Sequence, residues 1–401
     1  MIESHSEINL GSVISTLKGN AFKSKDYAEN GFPLIRVSDF TSNSVGKQAI
    51  VYVSYEVAEK NLKYQLKTGD ILIQTVGSWQ YNPASIVGKV VRVPKNLDGA
   101  LLNQNAVKLI PSPLINKVFL YYRLKDESFK SHVIGCAQGA ANQASITLST
   151  INAFLFYLPP LQTQQKIAAI LSAYDDLIEN NLQRIKLLEE VAQITYEEWF
   201  VRMKFPGHET AQWNKATGLP EGWAKIPLGN MMIFHYGKGL RSHEKREGNV
   251  PIYSSAGIFG YHDTSLVDVP GIIVGRKGNV GSVFWSQEPF FPMDTTYYIE
   301  SKESLYFAYF ALKGVEFINN DAAVPGLNRN AAYAMKIISP VSELIELFEE
   351  KVKPAFVTIF NLKKQNELLR EAREILLPRL MTGVIDVDQV EVPEALLARV
   401  A

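Results

Sequence analysis

The sequence predicts an α+β protein built twice over. Two mixed α/β domains with small twisted sheets are joined by two long helices that form an antiparallel coiled coil, with a pseudo-twofold internal duplication. Three observations predict it. Short motifs recur in the same order in both halves of the 401 residues. Each half closes on a proline followed by a long stretch of apolar residues near heptad spacing. The rest consists of short β-rich runs separated by Gly, Asn and Pro turns.

The repeats come first along the chain. Leu10-Gly11 followed by Lys18-Gly19 recurs as Leu228-Gly229 followed by Lys238-Gly239. Pro33-Leu34-Ile35 recurs as Pro251-Ile252-Tyr253, and Asp70-Ile71-Leu72-Ile73 as Gly271-Ile272-Ile273-Val274. The offset falls from 218 residues at the start to 180 at Pro160 and Pro340, then stays at 180 along the helices, where Leu188 matches Leu368 and Ala192 matches Ala372. A drifting offset in the globules and a constant one in the helices describe variable readers on a constant frame. The expected division is residues 1–160, 161–207, 208–341 and 342–401. Strands are expected at Ala49–Val53, Ile71–Gln74, Ile86–Val93, Ile272–Val274, Ser282–Trp285 and Thr295–Ile299.

The first helical segment, from Thr163 to Met203, contains no Pro or Gly. Its seam is Leu171, Tyr174, Ile178, Ile185, Leu188, Ala192 and Trp199, with Asn181 and Thr195 as polar members. A polar seam residue fixes register at some cost in stability. The second segment, Glu343 to Leu377, has Ile345, Phe348, Val352, Ala355, Ile359, Leu362, Leu369 and Leu376. Pro354 is expected to kink or break it, because proline removes an amide donor and crowds the preceding turn. Pro378 and Gly383 are expected to mark its end.

Composition narrows the function. Apolar residues make up 46% and charged residues 20%, which suits a folded globular chain. The 41 basic and 41 acidic residues cancel, so nucleic-acid binding must rest on local patches. Residues 1–160 carry 16 Lys/Arg against 11 Asp/Glu, whereas residues 342–401 carry 8 against 11, a basic first globule and an acidic helical end. The single cysteine, Cys136, allows no intrachain disulfide, which points to a cytoplasmic protein. Met1–Leu10 has neither a basic flank nor an apolar core, so no signal peptide is expected, and no apolar run is long enough for a membrane helix.

No catalytic constellation emerges. There is no phosphate-binding loop of the G-x-x-x-x-G-K-[ST] type, and the glycine-rich run Gly275–Gly281 lies outside any βαβ unit. The six histidines show no metal-ligand spacing, so no metal is expected. Asp294, Glu300 and Lys302 resemble a nuclease triad only superficially, since Thr295–Ile299 reads as an ordinary strand.

Polar clusters suit DNA instead. In the first half they are Lys18, Lys23, Lys25, Arg36, Gln74, Ser78, Gln80, Asn142 and Gln143. In the second they are Lys238, Arg241, Tyr253, Ser254, Arg276, Lys277, Asn279, Asn328 and Arg329. Arg and Lys fit guanine edges and phosphates, and Asn and Gln fit adenine edges. Glycines beside Arg276 and Lys277 would let the backbone approach a phosphate. The expected reading loops are Gln74–Trp79 and Gly275–Asn279.

The layout resembles the specificity (S) subunit family of type I restriction–modification enzymes. Leu158-Pro159-Pro160-Leu161 running into Gln165-Lys166-Ile167 is similar to that family's proline corner and helix start. Trp199–Gly207 resembles the end of its central conserved region, Leu219–Trp223 with Leu228-Gly229 the opening of its second target-recognition domain, and Leu376–Ile385 the end of its second conserved region. One departure is Ser339–Leu344, which lacks the double proline and the Glu-Gln pair.

The resemblance implies a non-catalytic adaptor that reads a bipartite, asymmetric site in double-stranded DNA. Its helices would dock two modification subunits, which bind S-adenosylmethionine and methylate a flipped-out adenine. Restriction subunits using ATP and Mg would join them, with no cofactor held by this chain. Two rival readings remain from the residues. A stand-alone nuclease would lose metal-dependent cleavage on changing Asp294 or Glu300; a coiled-coil scaffold would show no sequence preference on DNA.

Overall fold

The computed structural model describes residues 7–41, 43–46, 50–79, 85–140, 143–241, 246–317 and 326–401. They form two compact units, Met1–Ile178 with Leu368–Ala401, and Glu179–Glu367. Each unit takes in part of both long helices.

In the first unit the apolar run Ile71–Gln74 is buried along its length and becomes an inner strand. The four-stranded antiparallel sheet around it has the order Ile14–Lys18, Ala106–Pro111, Ile71–Gln74, Val90–Arg92. The last strand is shorter than the expected Ile86–Val93, because the chain turns at Gly88, whose φ of +80° favours glycine. A second small sheet pairs Phe32–Ile35 in parallel with Leu101–Leu102 and antiparallel with Val51–Val53. The helix Lys117–Lys125 starts where the Asn116 side chain accepts hydrogen bonds from the amides of Val118 and Phe119. It buries Phe119, Leu120 and Leu124 in a core shared with Phe129, Phe156, Leu171 and Leu380.

The second unit repeats this topology. Its sheet has the order Met232–Tyr236, Thr296–Ser301, Gly271–Gly275, Val283–Ser286, again antiparallel throughout. Val250–Ser254 runs parallel to Phe291–Pro292, as Phe32–Ile35 does to Leu101–Leu102. The registers agree as well. Leu109 lies between Thr16 and Ile71, and Ile299 lies between Phe234 and Ile272. Pro33–Ile35 and Pro251–Tyr253, and Asp70–Ile73 and Gly271–Val274, are therefore structural equivalents, and the chain is an internal duplication. Two expected matches shift, because like residues alone do not fix a register. Lys18-Gly19 stands where Tyr236-Gly237, not Lys238-Gly239, stands. The offset at the helices is 181 rather than 180, since the Leu10 amide bonds the Phe154 carbonyl as the Leu228 amide bonds that of Met335.

The first long helix is Leu161–Tyr196, ending in a π-helical turn at Glu197–Val201. The second is Ser342–Met381, 40 residues without a break. The expected break at Pro354 does not occur. Pro354 lies on the solvent side of the helix, where its ring displaces no packed neighbour, and its carbonyl accepts a hydrogen bond from Thr358 Oγ1 at 2.7 Å. Pro378 is likewise inside the helix, and the chain turns at Gly383, whose φ is +71°.

Within each unit the helices pair antiparallel. In the first unit Asp175 meets Arg373, and Lys166 donates to the carbonyls of Val387, Asp388 and Val390. In the second, Asn181 meets Asn366, Ile185 packs on Ile359 and Leu362, and Glu189 meets Lys363. Numbers rise on one helix as they fall on the other. The heptad rows appear as expected at Leu171, Ile178, Ile185, Val352, Ile359 and Leu362, all buried. Tyr174, Leu188, Leu369 and Leu376 are half-buried, while Asn366 and Arg373 occupy buried seam positions.

Candidate nucleic-acid interface

In the second unit, four separated segments meet at one end of the sheet. The amides of Arg276 and Lys277 both donate to the Thr295 carbonyl, at 2.8 and 3.1 Å. The Leu327 amide donates to the Arg276 carbonyl at 2.7 Å, and Lys277 bridges Gly326. The Lys238 amide donates to the Pro292 carbonyl at 3.0 Å. This convergence depends on glycine: a Cβ at Gly237 would lie 2.0 Å from the Met293 carbonyl oxygen, and one at Gly275 would lie 2.2 Å from that of Asn279.

The side chains there are mainly basic. Arg276 donates through Nε and Nη2 to the Asp294 carbonyl, at 3.0 and 2.6 Å. Its guanidinium lies 5.2 Å from the Tyr236 ring centre, and Arg329 lies 5.0 Å from the same ring. Tyr236 is 50% exposed. Lys238, Arg241, Lys277, Asn279 and Asn328 are exposed. Asn328 is also the N-cap of the helix Arg329–Ala334, and Ser254 stabilises its own turn by bonding the Gly257 carbonyl. Burial, chiefly, pushes the Tyr297 hydroxyl up to about 12, so it stays neutral and donates to the Leu327 carbonyl at 2.9 Å.

The equivalent end of the first unit's sheet is built the same way with different side chains. The Thr75 amide and hydroxyl both donate to the Asn105 carbonyl, at 2.8 and 3.0 Å, where Arg276 meets Thr295 in the second unit. Asn105 sits at φ +67°. Val76 pairs with Ser145 as Lys277 does with Gly326. Thr75 and Val76 thus stand where Arg276 and Lys277 stand. Lys18, Lys23, Lys25 and Gln143 are exposed, and Arg36 forms a two-pronged pair with Asp39.

Three expected contact residues do not face solvent. Gln74 is 2% exposed, and its amide nitrogen donates to the carbonyls of Val76 and Ser85. Ser78 is buried against Ser85, and Tyr253 is buried with its hydroxyl reaching the Trp285 carbonyl. These polar groups tie loops and sheets together, which residue type alone does not distinguish from groove contacts. Gln80 and Asn142 lie outside the described residues.

Residues 3–190 and 220–343 match the type I restriction modification DNA specificity domain. The chain belongs to that family. One matched stretch falls in each repeat, and a role in DNA sequence recognition follows from the family. Among similar members, the type I restriction enzyme MjaIX specificity subunit of Methanocaldococcus jannaschii is 26% identical, covering 72% of this chain and 73% of that protein. The type I restriction enzyme HindI specificity subunit of Haemophilus influenzae is 22% identical, covering 80% and 88%. The crystal structure of the S subunit of the M. genitalium type I restriction–modification system shares the fold. Its TM-score is 0.61 at 20% identity, over 95% of this chain and 98% of that one.

Tyr236, which is not among the expected contacts, is the exposed ring beside Arg276 and Arg329. Its signal is an exposed aromatic at the end of a strand whose alternate residues Met232 and Phe234 are buried. The superficial nuclease triad does not assemble. Glu300 pairs with His235 Nε2 at 2.9 Å, and Lys302 donates to the Asn230 carbonyl. Among the described residues no group of three or more His, Cys, Asp or Glu could hold a metal ion, and no helix is long and apolar enough to cross a membrane.

Proposed function

We propose that this chain is the non-catalytic DNA-reading subunit of a type I restriction–modification assembly. Each recognition domain reads one half of a bipartite, asymmetric site in double-stranded DNA. The long helices hold two modification subunits, which supply S-adenosylmethionine, and join restriction subunits that use ATP and Mg. The reading rests on one observation: the two units gather equivalent loops at equivalent sheet ends but place unlike side chains there. Thr75 and Val76 in one unit replace Arg276 and Lys277 in the other. Equivalent frames with unlike edges read unlike bases, because each base pair presents its own donor and acceptor pattern in the major groove.

The test is to map methylated adenines in cells carrying this chain with its modification subunits. The expected product is two unlike half-sites separated by unread base pairs. Exchanging residues 1–160 for the first domain of another family member should change one half only. A continuous palindrome, or a change in both halves, would overturn the proposal.

A further inference from the structure

Beside the apolar core that they share, one carboxylate ties the first recognition domain to both long helices. Asp175, on the first long helix, accepts hydrogen bonds from Arg92 Nη2 at 3.2 Å and Tyr122 Oη at 2.6 Å. Its other oxygen accepts from Arg373 of the second long helix. Arg92 ends the outer sheet strand and lies 4.3 Å from the Tyr121 ring, and Tyr122 belongs to the helix Lys117–Lys125. Sheet, domain helix and both long helices therefore meet at a single side chain that is mostly buried, with 16% of it exposed.

At the equivalent point the second unit uses aromatic packing. Arg92 pairs with Ile71, and the equivalent residue, paired with Ile272, is Trp285. Trp285 stacks on Tyr306 at 4.8 Å and meets Phe356 edge-on at 4.9 Å. The helices match at an offset of 181 residues, as the Leu10 amide bonds the Phe154 carbonyl where the Leu228 amide bonds that of Met335, so Phe356 stands where Asp175 stands and Ala192 where Arg373 stands. The fold thus accepts an apolar joint here. Apolar contact is non-directional, whereas charge-assisted hydrogen bonds to two oxygens from three elements fix an angle.

We propose that Asp175 is a positioning residue that sets the angle of the first recognition domain on the helices, and so limits how many unread base pairs the site tolerates between its halves. This rests on the bipartite reading above.

The test uses the full chain assembled with its modification subunits and maps methylation for Asp175→Asn, which keeps the shape and removes the charge. The half-site bases should stay the same. Discrimination between the normal spacer and spacers one base pair longer or shorter should fall about tenfold or more, the scale of one hydrogen bond to a charged group. Asp175→Glu should restore part of it. A merely structural role would lower methylation at every site without admitting new spacers, and that result would overturn the proposal, as would an unchanged spacer. If Asp175→Asn does not fold, Tyr122→Phe, which removes one donor, decides by the same criterion. A wild-type map without two half-sites would instead refute the bipartite reading itself.

Discussion

The buried asparagine pair in the helix seam offers an exacting test of the packing argument. Asn181 Nδ2 donates to Asn366 Oδ1 at 3.0 Å, and both residues are buried in the second unit. Asn366 is 2% exposed and its Nδ2 has no hydrogen-bond partner. An unsatisfied buried polar group costs about 1–3 kcal/mol, so the native pair already bears one such cost. Asn181→Leu strips the remaining bond from Asn366 and leaves both of its amide atoms bare. Asn366→Leu removes the orphan and leaves only Asn181 Nδ2 without its acceptor. Asn181→Leu should therefore be the more destabilising single change, by roughly 1 kcal/mol or more. The double Leu variant removes every bare polar atom and extends the apolar row of Ile185, Ile359 and Leu362. It should be more stable than the native chain by roughly 1–3 kcal/mol, while losing the polar match that selects this helix register. Chemical denaturation of the native chain, both single variants and the double gives the coupling energy directly. Additivity to within about 0.5 kcal/mol, or equal single-variant costs, would refute the reasoning.

Other expectations follow from individual sites. Pro354→Ala should raise unfolding stability by up to ~3 kcal/mol without changing the DNA site read, because it restores an amide donor inside the helix Ser342–Met381; an unchanged melting curve would contradict this. In DNA binding, Lys277→Ala should weaken all sequences alike and reduce the salt slope by about 0.9, as expected for an exposed phosphate contact. Arg276→Ala, which also frees the Asp294 carbonyl, should cost about 1–3 kcal/mol and relax specificity at one position. Native-like binding by both would move the interface elsewhere. Burial, chiefly, pushes Lys125 down to about 8 from an ordinary 10.5, so the unfolded chain holds more protons between these values. Stability should rise across that pH window, at up to ~1.4 kcal/mol per unit from this group. Burial raises the Tyr121 and Tyr122 hydroxyls, and their contribution falls as pH passes the ordinary tyrosine value of 10.0. Lys125→Met should flatten the rise, as read from denaturation midpoints between these pH values.

Order and periodicity are properties of the chain itself, so the duplication, the paired sheets and the helix seams could be read before any contact was known. Ile71–Gln74 and Gly271–Gly275 share an apolar pattern that makes them inner strands in equivalent registers. Ile178, Ile185, Ile359 and Leu362 recur at heptad spacing because helix geometry repeats along one face. What the tertiary structure alone decided depends on which face a residue meets. Pro354 stays inside an unbroken helix, an outcome that helix propensity, a property of the isolated segment, does not predict. Gln74 and Lys277 are both polar loop residues by sequence, yet one is spent on two carbonyls and the other is exposed. Tyr236 becomes a shared platform for Arg276 and Arg329 only because four chain segments close on one sheet end. Asp175 reads as an exposed helix carboxylate until Arg92, Tyr122 and Arg373, distant in sequence, arrive around it. Local pattern sets which elements form; the partners of a polar side chain are set by chain segments tens to hundreds of residues away, and no local rule carries that information.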